Sequence, residues 1–239
     1  MDNRVTVGIH QPNFMPWLGY FYKIAKSDTF IFLDDVQFTK TGSSYTNRVA
    51  INISNQSYFI TIPIKRSSGT QNINETEFLN EKWKKKVIGS IQANYAKSPY
   101  FKEHKDYIFE LINYRAENLA DYNIHFITSI SQALELNTTF AKSSQFNLSS
   151  SSTKRLVELI HLVKGDIYLS GAGGDNYQEE KIYQKNNITL TYNNMPNFNY
   201  TQPKSENFIK GLSIIDALFN VGIENLKHFF NKKGKKGKI

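Results

Sequence analysis

Residues 5–33 read VTVGIHQPNFMPWLGYFYKIAKSDTFIFL, and this stretch decides the fold. Val5 to Ile9 is a short β-branched run that predicts a strand. Pro16 suits the first turn of a helix, whose apolar residues recur at helical spacing from Leu18 to Ala25. Thr29 to Leu33 is a nearly continuous apolar run, which is typical of a buried strand. The stretch therefore predicts a β-α-β unit, and such a right-handed crossover implies a parallel strand pair.

The rest of the chain continues the alternation of strands and helices. Further strands are expected at Arg48 to Ile53, Tyr58 to Ile64, Asp166 to Leu169 and Ile188 to Tyr192. Helices are expected in a middle segment from Glu81 to Leu136, after the serines at 149–152, at Asn176 to Gln184 and at Leu212 to Phe219. This order predicts an α/β fold with a mainly parallel, Rossmann-like sheet, flanking helices and a helical middle segment. Because no interior linker divides the chain, residues 1–230 are predicted to form a single domain.

Composition and charge limit the classes of function. The chain of 239 residues is 40% hydrophobic and contains no cysteine, which excludes disulfides, thiolate nucleophiles and cysteine-ligated zinc. No signal-peptide pattern opens the chain, so a cytoplasmic location is expected, with peripheral contact at the inner face of the membrane as a further option. The net charge of +8 is concentrated in lysines near the end, and residues 231–239 are predicted to be a flexible basic tail. Such a tail aids solubility or contacts anionic lipid or tRNA.

Three polar segments are predicted to meet at one edge of the sheet. His10-Gln11-Pro12-Asn13 follows the first strand, Asp34-Asp35 follows the second, and Ser170 to Gly174 follows a late strand. In open parallel sheets, ligands bind beyond the carboxyl ends of the strands. If these strands are neighbours, the imidazole, the twin acids and the glycine turn share one cavity.

The predicted catalytic residues are His10, Asp34 and Asp35. An imidazole exchanges protons near neutral pH, so His10 is the natural general acid or base. The alternative is a loop histidine that shapes the turn before Pro12 through hydrogen bonds to the backbone. One acid would orient His10 or a substrate amine, and the other would cap a turn. Two adjacent acids are a weak metal signature, and no metal is predicted.

Two further sets of residues are predicted to bind substrate and anions. The predicted substrate-binding residues are Gln11, Asn13, Trp17, Gln37, Lys40, Asn47, Arg48 and Lys65. The predicted anion-binding residues are Lys154, Arg155, Ser170, Gly171, Gly173, Gly174 and Tyr177. An arginine fork suits a phosphate or carboxylate, and backbone N–H groups of a glycine turn can approach an anion. The alternatives are solvated strand edges and a glycine-rich turn with only a structural role, because the turn matches neither G-x-G-x-x-G nor G-x-S-x-G.

Several blocks of the sequence resemble the WbqC-like family of bacterial surface-polysaccharide clusters. The resemblance rests on GIHQPNFMPWLGYF at 8–21, FLDDVQF at 32–38, YLSGAGGDNY at 168–177 and LSIIDALFNVG at 212–222. It implies a group transferase, because attachment of glycine or a related acyl group to an amino sugar is proposed for some members. The chain departs from the family pattern in the Asn-rich segment from Met195 to Gln202 and in the lysine tail.

The resemblance leaves the reaction partners open. The acceptor implied is a nucleotide-linked or lipid-linked amino sugar, and the donor is an activated acyl group such as acyl-CoA or aminoacyl-tRNA. Two other functions remain in view. The strand, histidine turn and helix are similar in layout to nucleotidyltransferases with an H-x-G-H turn, although the second histidine and the glycine are missing. A non-catalytic protein that stacks a sugar or lipid on Trp17, Tyr20 and Tyr22 is the third possibility.

Overall fold

The computed structural model describes residues 4–39, 45–65, 67–171, 179–203 and 207–231. Its strands are β1 (Thr6–His10), β2 (Thr29–Phe32), β3 (Arg48–Ile53), β4 (Gln56–Thr61), β5 (Thr139–Lys142), β6 (Ile167–Ser170) and β7 (Thr189–Tyr192). Its helices are α1 (Leu18–Ala25), α2 (Lys82–Tyr95), α3 (Phe101–Asn113), α4 (Leu119–Ala133), α5 (Ser152–Leu162), α6 (Glu180–Lys185), α7 (Ile214–Val221) and α8 (Ile223–Asn231). No helix in these ranges is both long and apolar enough to cross a bilayer.

Five parallel strands form the main sheet in the order β5-β2-β1-β6-β7. Helices cover both faces. One face packs against α1, the helical middle and α7–α8 in a large core, and the other packs against α5 and α6 in a smaller core. The prediction of an α/β fold with a parallel, Rossmann-like sheet is confirmed.

The strand order reverses between β1 and β6. From β1 the chain moves to β2 and β5 on one side, then returns to β6 and β7 on the other. The β1–β2 pairing runs as far as His10 opposite Phe32, whereas the β1–β6 pairing ends at Gly8 opposite Leu169. The two strands thus separate at their carboxyl ends, and such a reversal point is where open α/β sheets bind ligands.

Gly8 lets β1 lie close to the end of α1. A Cβ atom at this position would lie 2.4 Å from Ser27 Oγ and 2.8 Å from the ring of Phe30. Val7 and Ile9, whose side chains point to the opposite face, are buried in the smaller core. A short helix can therefore pack directly over the strand that carries His10.

Several elements differ from the predicted ones. The hairpin turn is only Ser54-Asn55, both with positive φ (50° and 65°), so β4 begins at Gln56 and ends at Thr61. Strand β5 and helix α8 were not predicted from the sequence, and α8 extends to Asn231, the first residue of the predicted tail. The rest of that tail, 232–239, and most of the glycine turn lie outside the described residues.

Candidate active site

A cavity of about 480 Å³ lies where β1 and β6 separate. The described residues that line it are His10, Trp17, Gly19, Tyr20, Lys23, Asn193, Asn194 and Met195. They come from the end of β1, the start of α1 and the segment after β7. The volume falls in the range of ordinary small-molecule sites. Of the predicted catalytic residues, only His10 is among them.

The imidazole of His10 is oriented by the next residue. Its Nδ1 lies 3.0 Å from the carbonyl oxygen of Gln11, which also accepts a 2.8 Å hydrogen bond from Tyr20 Oη. A carbonyl can only accept, so Nδ1 carries the proton and Nε2 keeps its lone pair. The ring also packs edge-on against Trp17 and Tyr20. His10 thus presents a fixed tautomer whose Nε2 can accept a proton.

Burial keeps the His10 imidazole neutral. Loss of hydration lowers the pKa of His10 to about 4, and the nearby Lys23 amine adds to the effect. At physiological pH the ring is therefore an uncharged base and hydrogen-bond acceptor.

Lys23 is a functional candidate that the sequence did not reveal. The residue is only 2% exposed, and its Nζ donates a 2.7 Å hydrogen bond to the carbonyl oxygen of Ile9. Burial lowers the pKa of Lys23 to about 7. The available signal was helical spacing, because Lys23 lies three residues after Tyr20 and four after Gly19 and so shares their face.

Distant residues hold the turn after β1. Asn123, fully buried in α4, donates through Nδ2 to the carbonyl oxygens of Pro12 (2.8 Å) and Thr46 (2.7 Å). Ser213, just before α7, donates to the carbonyl of Met15, whose φ of 39° is rare for a residue other than glycine. The helical middle and the C-terminal helices therefore fix the shape of the site loop.

The twin acids belong to a different cluster at the same edge of the sheet. Asp34 accepts hydrogen bonds from the Ser144 backbone N–H (3.0 Å) and hydroxyl (2.6 Å) and from the Ser143 hydroxyl (3.2 Å). Asp35 accepts from the Ser143 hydroxyl and from Arg155 Nη2, the latter at 2.6 Å. All four carboxylate oxygens are occupied, and neither acid lines the His10 cavity. The expectation that imidazole and acids share one cavity is therefore corrected: the acids face the segment after β5.

The predicted substrate-binding residues are dispersed. Trp17 lines the cavity, and Gln11 orients His10. Asn13 is buried, Asn47 donates a hydrogen bond to the carbonyl of Ile62, and Gln37 forms an isolated β-bridge with Asn72. The Arg48 guanidinium stacks over Phe59, 4.5 Å from the ring centroid. Lys65 forms an ion pair with Glu77. Lys40 lies outside the described residues. The structure thus brings together the early members of the set and leaves the later ones on the β3–β4 hairpin and nearby loops.

The predicted anion-binding residues also separate. Arg155 is bound to Asp35, and Lys154 is exposed and 4.0 Å from Glu158, so neither is directed to the His10 cavity. Ser170 is buried at the end of β6, where its carbonyl accepts the Asn193 N–H at 2.9 Å, and Gly171 follows it. Gly173, Gly174 and Tyr177 lie outside the described residues.

No group of three or more histidine, aspartate or glutamate side chains suited to a metal occurs in the described part of the chain. The cavity instead offers an imidazole, an amine and an amide between aromatic and thioether walls. Such a site can transfer protons, bind a negatively charged group and hold an apolar face.

Comparisons with known proteins agree with the sequence blocks. Residues 11–228 match the model of the WbqC-like protein family. The chain is also similar to the uncharacterized protein Rv1507c of Mycobacterium tuberculosis (strain ATCC 25618 / H37Rv), with 30% identity over 220 residues, which are 91% of this chain and 94% of that protein. No solved structure is significantly similar to the chain. The matched residues include the turn after His10, helix α7 and most of α8, and the chain belongs to the WbqC-like protein family.

Proposed function

We propose that the protein is a group transferase of bacterial surface-polysaccharide biosynthesis, which moves an acyl group, such as glycyl, to the amine of an amino sugar. The observation that carries the proposal is the neutral imidazole of His10 in a cavity at the point where the strand order reverses. Family membership supports the polysaccharide context.

His10 acts as the general base in this proposal. The sugar amine attacks the acyl carbonyl carbon, a C–N bond forms, and the nitrogen of the tetrahedral adduct loses a proton to Nε2 of His10. The adduct then collapses, and the bond to the donor breaks. The leaving thiolate or ribose oxygen takes the proton back from the imidazolium.

Tyr20 and Gln11 are positioning residues. The carbonyl of Gln11 fixes the tautomer of His10, and Tyr20 Oη holds that carbonyl. Asp34 and Asp35, by contrast, have no free oxygen with which to steer a substrate, and their proposed role is to hold the segment after β5 against the end of β2.

The size of the cavity sets which part of each substrate enters. About 480 Å³ accommodates one sugar ring with an acyl group. The bulk of a coenzyme A or an aminoacyl-tRNA donor would remain outside, with only its acylated end in contact with His10.

Mass spectrometry tests the proposal directly. A nucleotide-linked glucosamine is incubated with acetyl-CoA or with glycyl-tRNA, and the product is examined for the mass of the added acyl group. We expect transfer by the wild type, loss of turnover in His10→Ala, and full turnover in His228→Ala, which changes an exposed histidine of α8. Undiminished transfer by His10→Ala would exclude the imidazole as the base. Pyrophosphate release from a nucleoside triphosphate, without acyl transfer, would favour nucleotidyl transfer instead.

A further inference from the structure

Two lysines among the described residues are deeply buried, and their surroundings differ. Lys84, 6% exposed, forms an ion pair with Glu81 and donates to the carbonyl of Tyr114 at 2.7 Å. Lys23, 2% exposed, donates to the carbonyl of Ile9, and no carboxylate in the described ranges forms an ion pair with it. Within the described part of the chain, Lys23 is therefore a buried amine without the counter-charge that a buried ammonium group usually has.

An ammonium group without a counter-charge is costly to bury. The fold reduces this cost by lowering the pKa of Lys23, so that a large fraction of the amine is uncharged near neutral pH. The other titratable groups around it are His10 on β1, Tyr20 on α1 and Tyr168 on β6, whose ring centroid is 6.0 Å from Nζ. None of these supplies a negative charge near neutral pH. A bound ligand would supply a negative charge at this position.

Asn193, which lines the same cavity, carries a second polar atom without a partner in the described residues. Its Nδ2 donates to the carbonyl of Gly19 at 3.0 Å, and its backbone N–H donates to Ser170. Its Oδ1 is buried and has no hydrogen-bond partner in the described part of the protein. A buried acceptor left open is destabilising unless a ligand donates to it. The residues that line the cavity thus include an amine that can take up a proton and an amide acceptor, with Trp17 and Met195 as apolar walls.

We propose that Lys23 and Asn193 form a sugar-phosphate subsite, in which the ammonium binds the phosphate joined to the acceptor sugar and Asn193 Oδ1 accepts from a sugar hydroxyl or N–H. This inference rests on the proposed function. A phosphate is favoured over a carboxylate because the carboxyl group of an acyl donor is already consumed in its ester or thioester. Both nucleotide-linked and lipid-linked sugars carry this phosphate.

Binding at this subsite takes up a proton. An anion beside Nζ favours the charged form and raises the pKa of Lys23 from about 7. Slightly above neutral pH, the free protein holds mostly the neutral amine and the complex holds the ammonium. The proton comes from the buffer, so the measured binding enthalpy depends on the ionisation enthalpy of that buffer.

Isothermal titration calorimetry tests the subsite without any turnover. Wild type, Lys23→Met and Lys85→Met are titrated at about pH 8, one unit above the pKa of Lys23, with glucosamine 1-phosphate and with glucosamine in two buffers. Lys85 is an exposed lysine of α2, so its variant controls for net charge. We expect the wild type and Lys85→Met to prefer the phosphorylated sugar by roughly 10- to 100-fold, with proton uptake. Lys23→Met should lose both the preference and the uptake.

Equal affinity of the wild type for the two sugars, or a preference that survives Lys23→Met, would overturn the proposal. Asn193→Leu gives a second measure, because it should weaken binding of both sugars while proton uptake persists in the complex that forms. UDP-glucosamine and a short-chain polyprenyl diphosphate glucosamine then distinguish a nucleotide-linked from a lipid-linked source by their affinities. Failure of acyl transfer with intact phosphate-dependent binding would reject the proposed reaction but keep the subsite.

Discussion

The His10 cavity and the Asp34–Asp35 cluster occupy the same edge of the same sheet, yet their polar groups are used differently. In the acid cluster, all four carboxylate oxygens accept hydrogen bonds from Ser143, Ser144 or Arg155. In the cavity, Lys23 lacks a counter-charge and the Oδ1 of Asn193 has no partner within the described ranges. A polar residue at the carboxyl edge of a sheet is thus a binding candidate only when its hydrogen-bonding capacity is left open.

This difference has an energetic consequence. The bonded carboxylates of the acid cluster contribute to folding, because removal of one of them leaves buried donors without acceptors. A cavity whose buried polar groups lack partners lowers the stability of the free protein, and a bound ligand raises it again. Substitutions in the two regions should therefore affect different measurements.

The largest effect on folding is expected in the acid cluster. Asp34→Ala removes the acceptor of the Ser144 N–H and of the Ser144 hydroxyl, and should lower the free energy of unfolding by about 3 kcal/mol. Urea denaturation measures the change. Asp106→Ala, at an exposed position on α3, is the control and should change stability by less than about 0.5 kcal/mol. If the Asp34→Ala protein is stable but inactive, the structural role of Asp34 is wrong and Asp34 is again a candidate active-site residue.

The two buried lysines should respond to substitution in opposite directions. Lys84→Met breaks a paired lysine and should lower stability by about 1 kcal/mol. Lys23→Met removes a lysine that has no ion-pair partner in the described ranges. It should raise stability at pH 7 by roughly 1–2 kcal/mol, because the cost of burying the amine exceeds the contribution of its hydrogen bond to Ile9. Thermal unfolding of both variants at several pH values gives the comparison.

The sign of the pH dependence follows from the depressed pKa of Lys23. Between the folded pKa of about 7 and the unfolded value of 10.5, the unfolded chain binds a proton that the folded chain does not. Wild-type stability should therefore rise with pH across this window, and the advantage of Lys23→Met should disappear near its upper end. An advantage that stays constant with pH would mean that Lys23 is already charged in the folded protein.

The pH profile of activity should report both cavity groups. We expect kcat/KM to fall below about pH 4, where His10 becomes protonated, and to fall above about pH 7, where Lys23 loses the charge that binds phosphate. Lys23→Arg should remove the alkaline limb, because arginine stays charged. An acid limb near the ordinary histidine pKa would show that burial does not lower the pKa of His10 in the working enzyme.

The smallest effect is expected at Gly19. A Cβ there would lie 3.2 Å from the Trp17 indole, so Gly19→Ala should displace that wall of the cavity by a few tenths of an ångström. KM should rise a few-fold, while stability stays equal or increases by up to about 1 kcal/mol through helix propensity. Gly89→Ala in α2, where a Cβ meets nothing within 4 Å, should give the stability gain with an unchanged KM. Equal KM values for the two variants would remove Trp17 from the binding surface.

The sequence alone identified the β1-α1-β2 unit, the parallel sheet and the position of His10 at the end of β1. These features were accessible because hydrophobic periodicity and strand-ending residues act over a few positions along the chain. Strand β5 was missed because Thr139 to Lys142 is short and only partly buried, and its strand character comes from pairing with β2.

Only the tertiary structure decided which polar residues remain available for chemistry. Asn193 meets Gly19 across 174 positions, and Arg155 meets Asp35 across 120. Whether a side chain is buried, and whether its hydrogen bonds are satisfied, depends on such distant partners rather than on its neighbours in the chain. The sequence could therefore suggest Asp34, Asp35 and Arg155 as site residues. Only the fold shows that Arg155 pairs with Asp35, and that Lys23 lines the cavity beside His10.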